Sequence, residues 1–466
     1  MTVSRRHFLR QAAAVSAGFG GLQLFVLAGD TSARFAPEDR TGRFGPLVPD
    51  PDGVFDLPER FSYRIISRFG DVMDDGLLVP HRPDGMAAFP GPDGRVILVC
   101  NHEVSDGRER EEGAFGPDFA LARRLEATDF FDPGRELNPA GGGTTTIVYD
   151  PATGEAVRRF LSLAGTLRNC AGGPTPWNSW ITCEESVVGP TDTLARAHGW
   201  AFEVPATTEP GLAAPRPIEG MGRFYREAIA LDPDSGVVYQ TEDRGDGLIY
   251  RFVPDAPGDL HAGGRQQALV VRGRPGLDTR NWDVARVEVG TSMPVEWIDM
   301  EDIDSAEDDL RYRGFAGGAA RFARAEGMWY GNETVYFACT NGGAARLGQI
   351  WKYTPSKAEG AAGERDTPGM LELFLESESV SVLENADNLT VAPWGDLFVC
   401  EDGRQDQFLI GVTPEGDTYR FGRNAISTSE LAGATFSPDG STLFMNIQGD
   451  GLTLAITGPW ERRNEP

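Results

Sequence analysis

Histidine is scarce in this 466-residue chain: there are five, and one of them, His7, falls in the N-terminal leader, so a metal site built mainly from imidazoles is poorly supplied. Neither an H-E-x-x-H pair nor a G-x-S-x-G turn occurs, which removes the zinc-helix and serine-elbow patterns of hydrolysis. The five cysteines, Cys100, Cys170, Cys183, Cys339 and Cys400, include no C-x-x-C, so neither a structural zinc site nor a thioredoxin-like dithiol is indicated. Their odd number leaves at least one unpaired, buried or bound. Basic residues are in deficit, 43 Lys and Arg against 70 Asp and Glu for a formal charge of −27. Nucleic acid and anionic membrane surfaces are therefore repelled, and a cation is the natural partner. Most of the surplus carboxylates serve only to keep the chain soluble. Amphipathic helices are also few; segments 105–127 and 305–325 read as short helical insertions on the surface.

What is present begins with residues 4–29, SRRHFLRQAAAVSAGFGGLQLFVLAG. Arg5 and Arg6 ahead of Phe8, Leu9 and an apolar run diluted by Gln and Gly have the pattern of a twin-arginine export signal. No second apolar span follows, so a stable membrane span in the mature chain is not expected. Residues 1–30 are set aside as the signal and 31–466 as one domain, exported already folded by the twin-arginine machinery to a periplasmic or extracellular location. Export in the folded state suits a protein that acquires metal beforehand.

Six segments share a form: GRVILVCNHE (94–103), NSWITCEE (178–185), SGVVYQTED (235–243), ETVYFACTNG (333–342), GDLFVCEDG (395–403) and STLFMNIQGD (441–450). Each is a β-branched and aromatic run ending in a polar or acidic cluster, and turn signals such as GPDG, DPDSG, APWG and SPDG precede most of them. The expected fold is all-β, a six-bladed β-propeller with long loop and short helical insertions; two packed β-sandwiches are the competitor. In a propeller, equivalent strand ends converge on one mouth. Glu103, Glu184 or Glu185, Glu242 or Asp243, Glu401 or Asp402 and Asp450 then meet, and so many carboxylates need cations to stay ionised together. Calcium, with six to eight oxygen ligands, answers that need. Taken singly, each of these acids reads better as a solvated loop residue; their recurrence across blades reverses that reading for the set.

Beside them, residues 169–185, NCAGGPTPWNSWITCEE, place a lone thiol on a Gly/Pro loop close to two carboxylates. Arg168, two residues ahead of Cys170, predicts a lowered thiol pKa. The other four cysteines end apolar strands and read as small buried hydrophobes.

With CNHE (100–103), RNCAGGPTPWNSWITCEE (168–185), MGRFYREA (221–228), RAEGMWY (324–330), ENADNLTVAPWGDLFVCEDG (384–403) and LAGATFSPDGSTLFMNIQ (431–448), the chain resembles the PhoX-type alkaline phosphatases over nearly all of its mature length. The resemblance implies an exported six-bladed propeller that hydrolyses small phosphomonoesters at a centre of iron (Fe) and calcium (Ca); a monomer is expected. It implies Cys170 as thiolate ligand to iron, Glu103, Glu185, Glu227, Glu326 and Asp387 among the shared carboxylates, and Arg324 as a phosphate contact. Glu401 and Asp402 join the metal set by their strand-end position, and His102, beside Glu103, is a candidate phosphate contact or a packed histidine. The family usually has His where Arg226 stands, so Arg226 is a candidate for recognising a more highly charged phosphate, or for pairing with a surface acid. Alternatives on the same scaffold are a calcium-dependent phosphodiesterase, a phytase-like enzyme or lactonase, and a non-catalytic calcium-binding propeller.

Overall fold

The computed structural model describes residues 42–460, so the expected signal segment lies outside the described residues. The chain is all-β, and its sheets have a propeller-like arrangement. One four-stranded sheet runs Pro83–Pro90, Val96–His102, Gly142–Asp150, Glu155–Thr166, and a three-stranded sheet runs Asn169–Pro174, Ser179–Glu184, Ala201–Pro205. A nine-stranded sheet consists of two meanders, one starting at Arg226–Leu231 and the other at Ala325–Gly331, fused where Ser292–Asp299 pairs with Met370–Glu376. A six-stranded sheet starts at Ala386–Val391 and ends on the N-terminal strands Phe55–Pro58 and Leu47–Val48. The last sheet runs Leu431–Phe436, Thr442–Ile447, Leu452–Thr457 and takes Ser62–Arg68 from the start of the chain as its outer strand. The two ends of the fold are thereby sewn together.

The first strands of these meanders touch in cyclic order, from Pro83–Pro90 through Asn169–Pro174, Arg226–Leu231, Ala325–Gly331, Ala386–Val391 and Leu431–Phe436 back to Pro83–Pro90. Being buried on both faces, they read as near-continuous small or apolar runs such as AIAL (228–231). The second strands are the six segments recognised as β-branched and aromatic runs with polar or acidic ends, and apolar side chains packed between neighbouring sheets form the core. Trp351, Phe322 and Phe337 occupy one such layer; Phe421, Phe398 and Trp460 occupy another. Each side chain of this size contributes about 2–3 kcal/mol through burial.

The helical expectation is corrected. Within 105–127 only Glu109–Glu112 is α-helical, because Gly107, Gly116 and Phe119 have φ of 82°, 74° and 55°. Within 305–325 only Leu310–Ala316 is, ended by Gly317 and by Gly318 at φ 105°.

One irregularity repeats. At the start of every first strand two residues oppose one residue of the second strand: Asp84 and Gly85, Cys170 and Ala171, Glu227 and Ala228, Glu326 and Gly327, Asp387 and Asn388, Gly433 and Ala434. Such β-bulges turn a side chain out of the regular alternation.

Candidate metal centre

The leading residue of each bulge is a possible metal ligand in five cases out of six: Asp84, Cys170, Glu227, Glu326 and Asp387. In the sixth, Gly433, φ is +63° and a Cβ would lie 2.2 Å from the Asp84 carbonyl oxygen, so no side chain is possible there without a shift. Glu430, just ahead of that strand, supplies the carboxylate instead.

A second tier comes from the residues that follow the second strands. The N–H groups of Glu103, Glu185, Asp243, Thr340 and Asp402 donate to the carbonyls of Arg82, Arg168, Tyr225, Arg324 and Asn385 at 2.9–3.0 Å. Each of these hydrogen bonds folds the rim residue back over the bulge. The preceding residue in the strand faces the other way. Glu184 accepts from the N–H groups of Leu167, Gly199 and Trp200 at 2.9, 2.8 and 3.1 Å; Glu242 from Leu248 N–H and the Tyr250 hydroxyl; Glu401 from the N–H groups of Glu384 and Phe408. Alternation thus resolves each acidic pair, with one member anchoring loops and the next entering the mouth.

Three groups of donor atoms result, each with all its atoms within 4.8 Å of one another: Cys170, Glu185 and Glu227; Glu227, Glu326 and Asp387; and Asp84, Glu103 and Glu430. Glu227 belongs to two of them. Burial, followed by the charge of neighbouring carboxylates, pushes Glu227, Asp84 and Glu430 well above the usual carboxylate range. Asp387 is pushed up to about 7 by burial and by Asp402. Two arginines offset part of this charge. Nη2 of Arg168 contacts both Glu103, at 2.7 Å, and Glu185. Nη2 of Arg324 contacts both Asp243, at 2.8 Å, and Glu326, at 2.7 Å.

The donor set fits cations. Eight buried or half-buried acids and a thiol converge with two guanidiniums against them, and Asp84 Oδ1 is buried without a hydrogen-bond partner. Like charges at this spacing cannot all ionise unless positive charge enters among them. One sulfur among many oxygens provides for a softer transition metal at one point and harder ions elsewhere.

A profile described as Alkaline phosphatase PhoX matches residues 42–451. The chain belongs to the PhoX alkaline phosphatase family. Pseudomonas fluorescens PhoX, solved in complex with vanadate, a transition state analogue, superposes with a TM-score of 0.65 at 18% identity, covering 89% of this chain and 97% of the other. A gluconolactonase from Xanthomonas campestris gives a TM-score of 0.37 at 13% identity, with 89% and 98% covered. No curated protein is similar enough in sequence to count as a relative.

In this PhoX-family phosphatase six expected ligands, Cys170, Glu103, Glu185, Glu227, Glu326 and Asp387, fall in the three donor groups, and four expected site residues, Asp402, Glu401, His102 and Arg226, do not; Asp402 is exposed at the rim. Glu401 is tied to loop N–H groups and joins none of the three donor groups. His102 is buried; its ring nitrogens sit 2.9 Å from the His81 carbonyl and 2.9 Å from Thr145 Oγ1, and burial lowers its pKa to about 4. It is a packed core histidine. Arg226 is fully buried under its own strand, donating to Gln240 Oε1 and to the carbonyls of Met221, Gly222 and Gly199. It recognises backbone, so neither candidate role, phosphate recognition nor pairing with a surface acid, holds. The lowered pKa expected for Cys170 is also corrected: burial, then Glu227 and Glu185, push the thiol well above its ordinary value, because Arg168 turns to the glutamates.

Sequence reasoning missed Asp84 and Glu430. A signal for Asp84 exists, since Arg82-Pro83-Asp84-Gly85 has the form of Arg324-Ala325-Glu326-Gly327, but Pro-Asp-Gly also reads as a turn. Glycine is required at both repeats: a Cβ on Gly85 would lie 2.5 Å from Ala171 Cα, and one on Gly327 2.7 Å from Asn388 Cα.

Proposed function

We propose that this phosphatase is an exported phosphomonoesterase, a six-bladed propeller in which each cyclically packed first strand is the inner strand of one blade. We assign iron to the group containing Cys170 and calcium to the carboxylate groups. The observation that carries the reading is the sharing of Glu227 between a group with sulfur and a group with oxygen donors alone. Cys170, Glu185 and Glu227 would hold the softer metal; Glu227, Glu326, Asp387 and Asp84, Glu103, Glu430 would hold the harder ones. Bound metals would supply Lewis-acid charge to phosphoryl oxygens.

The residues of the chain do the rest. Arg324 is fixed by Asp243 on two of its nitrogens, Nε at 2.9 Å and Nη2 at 2.8 Å, and Nη1 has no partner among the described residues. That edge of the guanidinium is available to a phosphate oxygen. Glu326 and Asp243 hold the fork in one orientation, which limits the ordering cost of substrate binding. The twin arginines Arg5 and Arg6 support export.

The test is elemental analysis of protein exported in its native manner, together with turnover of a chromogenic phosphomonoester and the matching diester. Iron and calcium, with monoester turnover abolished by chelator, are expected. Metal-replete protein that cleaves only the diester, or calcium without iron, overturns the assignment.

A further inference from the structure

Five residues occupy one position in the repeat, two residues ahead of the bulge ligand: Arg82, Arg168, Tyr225, Arg324 and Asn385. All five are half-buried at the mouth, and each carbonyl accepts the N–H of a rim residue. Four of them, all but Tyr225, adopt the left-handed region, with φ of 53°, 48°, 50° and 55°. The side chains are therefore launched from equivalent points around the centre.

Within this ring Arg168 and Arg324 behave alike. Each uses Nη2 to reach one acid on the preceding meander, Glu103 or Asp243, and one of its own, Glu185 or Glu326. Neither Nη1 has a partner among the described residues. Arg324 thereby stands against the Glu227, Glu326, Asp387 group through Glu326, and Arg168 against the Cys170, Glu185, Glu227 group through Glu185. Tyr225 lies between them in the ring, its face 5.8 Å from the Arg168 guanidinium and 3.7 Å from that of Arg244. Glu227, the shared carboxylate, follows Tyr225 by two residues.

We propose that Arg168 is a second substrate-contacting residue, holding the phosphoryl group from the Cys170 side as Arg324 holds it from the Asp387 side. A phosphomonoester dianion has three non-bridging oxygens, and two separate forks bind two of them; bound metals would supply further positive charge. A diester has only two such oxygens and a single negative charge, so the paired arginines favour the monoester. This inference rests on the phosphatase reading of the site. The bland account is that Arg168 only neutralises Glu103 and Glu185, and the two accounts differ in what happens to phosphate affinity.

The experiment is equilibrium binding of inorganic phosphate, by calorimetry, to metal-loaded wild type, Arg168→Gln and Arg168→Lys, with metal content measured on the same samples. Expected is a loss of phosphate affinity of about tenfold to a hundredfold in Arg168→Gln at wild-type metal content, the range for hydrogen bonds to charged groups. Arg168→Lys should recover part of it, because lysine restores charge without the planar fork. In turnover, KM for the monoester should rise more than kcat falls. Metal-loaded Arg168→Gln with wild-type phosphate affinity overturns the proposal. If that variant does not load, Arg168→Lys decides: weakened phosphate binding at full metal content supports the role, and unchanged binding or failure to load overturns it. Wild type that binds phosphate but cleaves no monoester would strike the functional reading while leaving this comparison intact.

Discussion

Cys170 Sγ lies 3.5 Å from the backbone carbonyl oxygen of Glu227, the ligand at the same bulge position of the next first strand. The thiol is completely buried and its proton is held well above the ordinary range by burial and by the carboxylates of Glu227 and Glu185. Only a cation among these groups lets the sulfur work as a thiolate. Cys170→Ser should therefore lose iron selectively while keeping calcium on the all-oxygen groups, and monoester turnover should fall by more than about a hundredfold, since even partners one shell beyond a metal cost that much. Elemental analysis with kinetics on one preparation checks this; full iron occupancy in the serine variant contradicts it.

Metal removal should destabilise the fold in a pH-dependent manner. Burial, and then neighbouring carboxylates, hold Asp84, Glu227, Glu326 and Glu430 above the usual carboxylate range and bring Asp387 to about 7. A carboxyl with a raised folded pKa binds its proton more tightly folded than unfolded. Its contribution is favourable at acid pH and is lost as pH rises from about 4 toward the folded value. Metal-free protein should thus fall in Tm more steeply from about pH 5 to about pH 8 than metal-loaded protein, whose carboxylates are neutralised by cations. Melting curves with and without chelator test it; a gap that narrows toward alkaline pH is the contrary result.

Much of this centre is written in the strand ends and the rest is not, for a definite reason. Glu103, Glu185, Asp243 and Asp402 follow short β-branched and aromatic runs that end abruptly in polar or acidic residues, and that repeated ending is legible in the sequence. Which of Glu184 and Glu185, or of Glu401 and Asp402, faces the mouth depends on register, and one residue of slip exchanges them. The bulge ligands are harder. A first strand buried on both faces has no alternation to betray that Asp84 or Glu227 leaves the regular pleat, and only the repeat of Arg82-Pro83-Asp84-Gly85 in Arg324-Ala325-Glu326-Gly327 marks the place. Glu430 becomes a donor because Gly433 cannot be one, a relation visible only in three dimensions.

Arg226 should matter to stability and hardly at all to substrate preference. Its guanidinium is completely buried, and burial lowers its pKa to about 10, yet it holds Gln240 and three loop carbonyls and lies 4.2 Å from the Phe224 ring. Arg226→Ala strands those acceptors and opens a cavity, at a cost of about 3–5 kcal/mol. Urea titration should register that loss, whereas KM for monoesters of different charge should move together by less than about threefold. A selective loss for the more highly charged ester would return Arg226 to the substrate site.

His198 sets an alkaline limit on the fold. It is wholly buried, with Nδ1 2.6 Å from Glu184 and Nε2 3.2 Å from Asp132. Burial alone would lower its pKa, but Glu184 and Asp132 outweigh it and bring the imidazolium to about 9. A histidine raised above its unfolded value contributes stability that is complete below about pH 6.5 and disappears as pH climbs through the folded pKa. A shift of this size is worth about 3 kcal/mol, the energy of holding the Thr191–Gly199 loop onto Asp132 and Glu184 in charged form. Unfolding free energy of the metal-loaded wild type should decline from about pH 6.5 to about pH 9, and His198→Gln, which keeps hydrogen-bonding atoms but never ionises, should be less stable at pH 6.5 with a flatter slope above it. Because Glu184 lies on the strand that delivers Glu185, the same variant should release metal more readily near neutral pH, where wild type still carries the charge. Parallel pH slopes for the two proteins would mean that His198 is neutral in the folded chain.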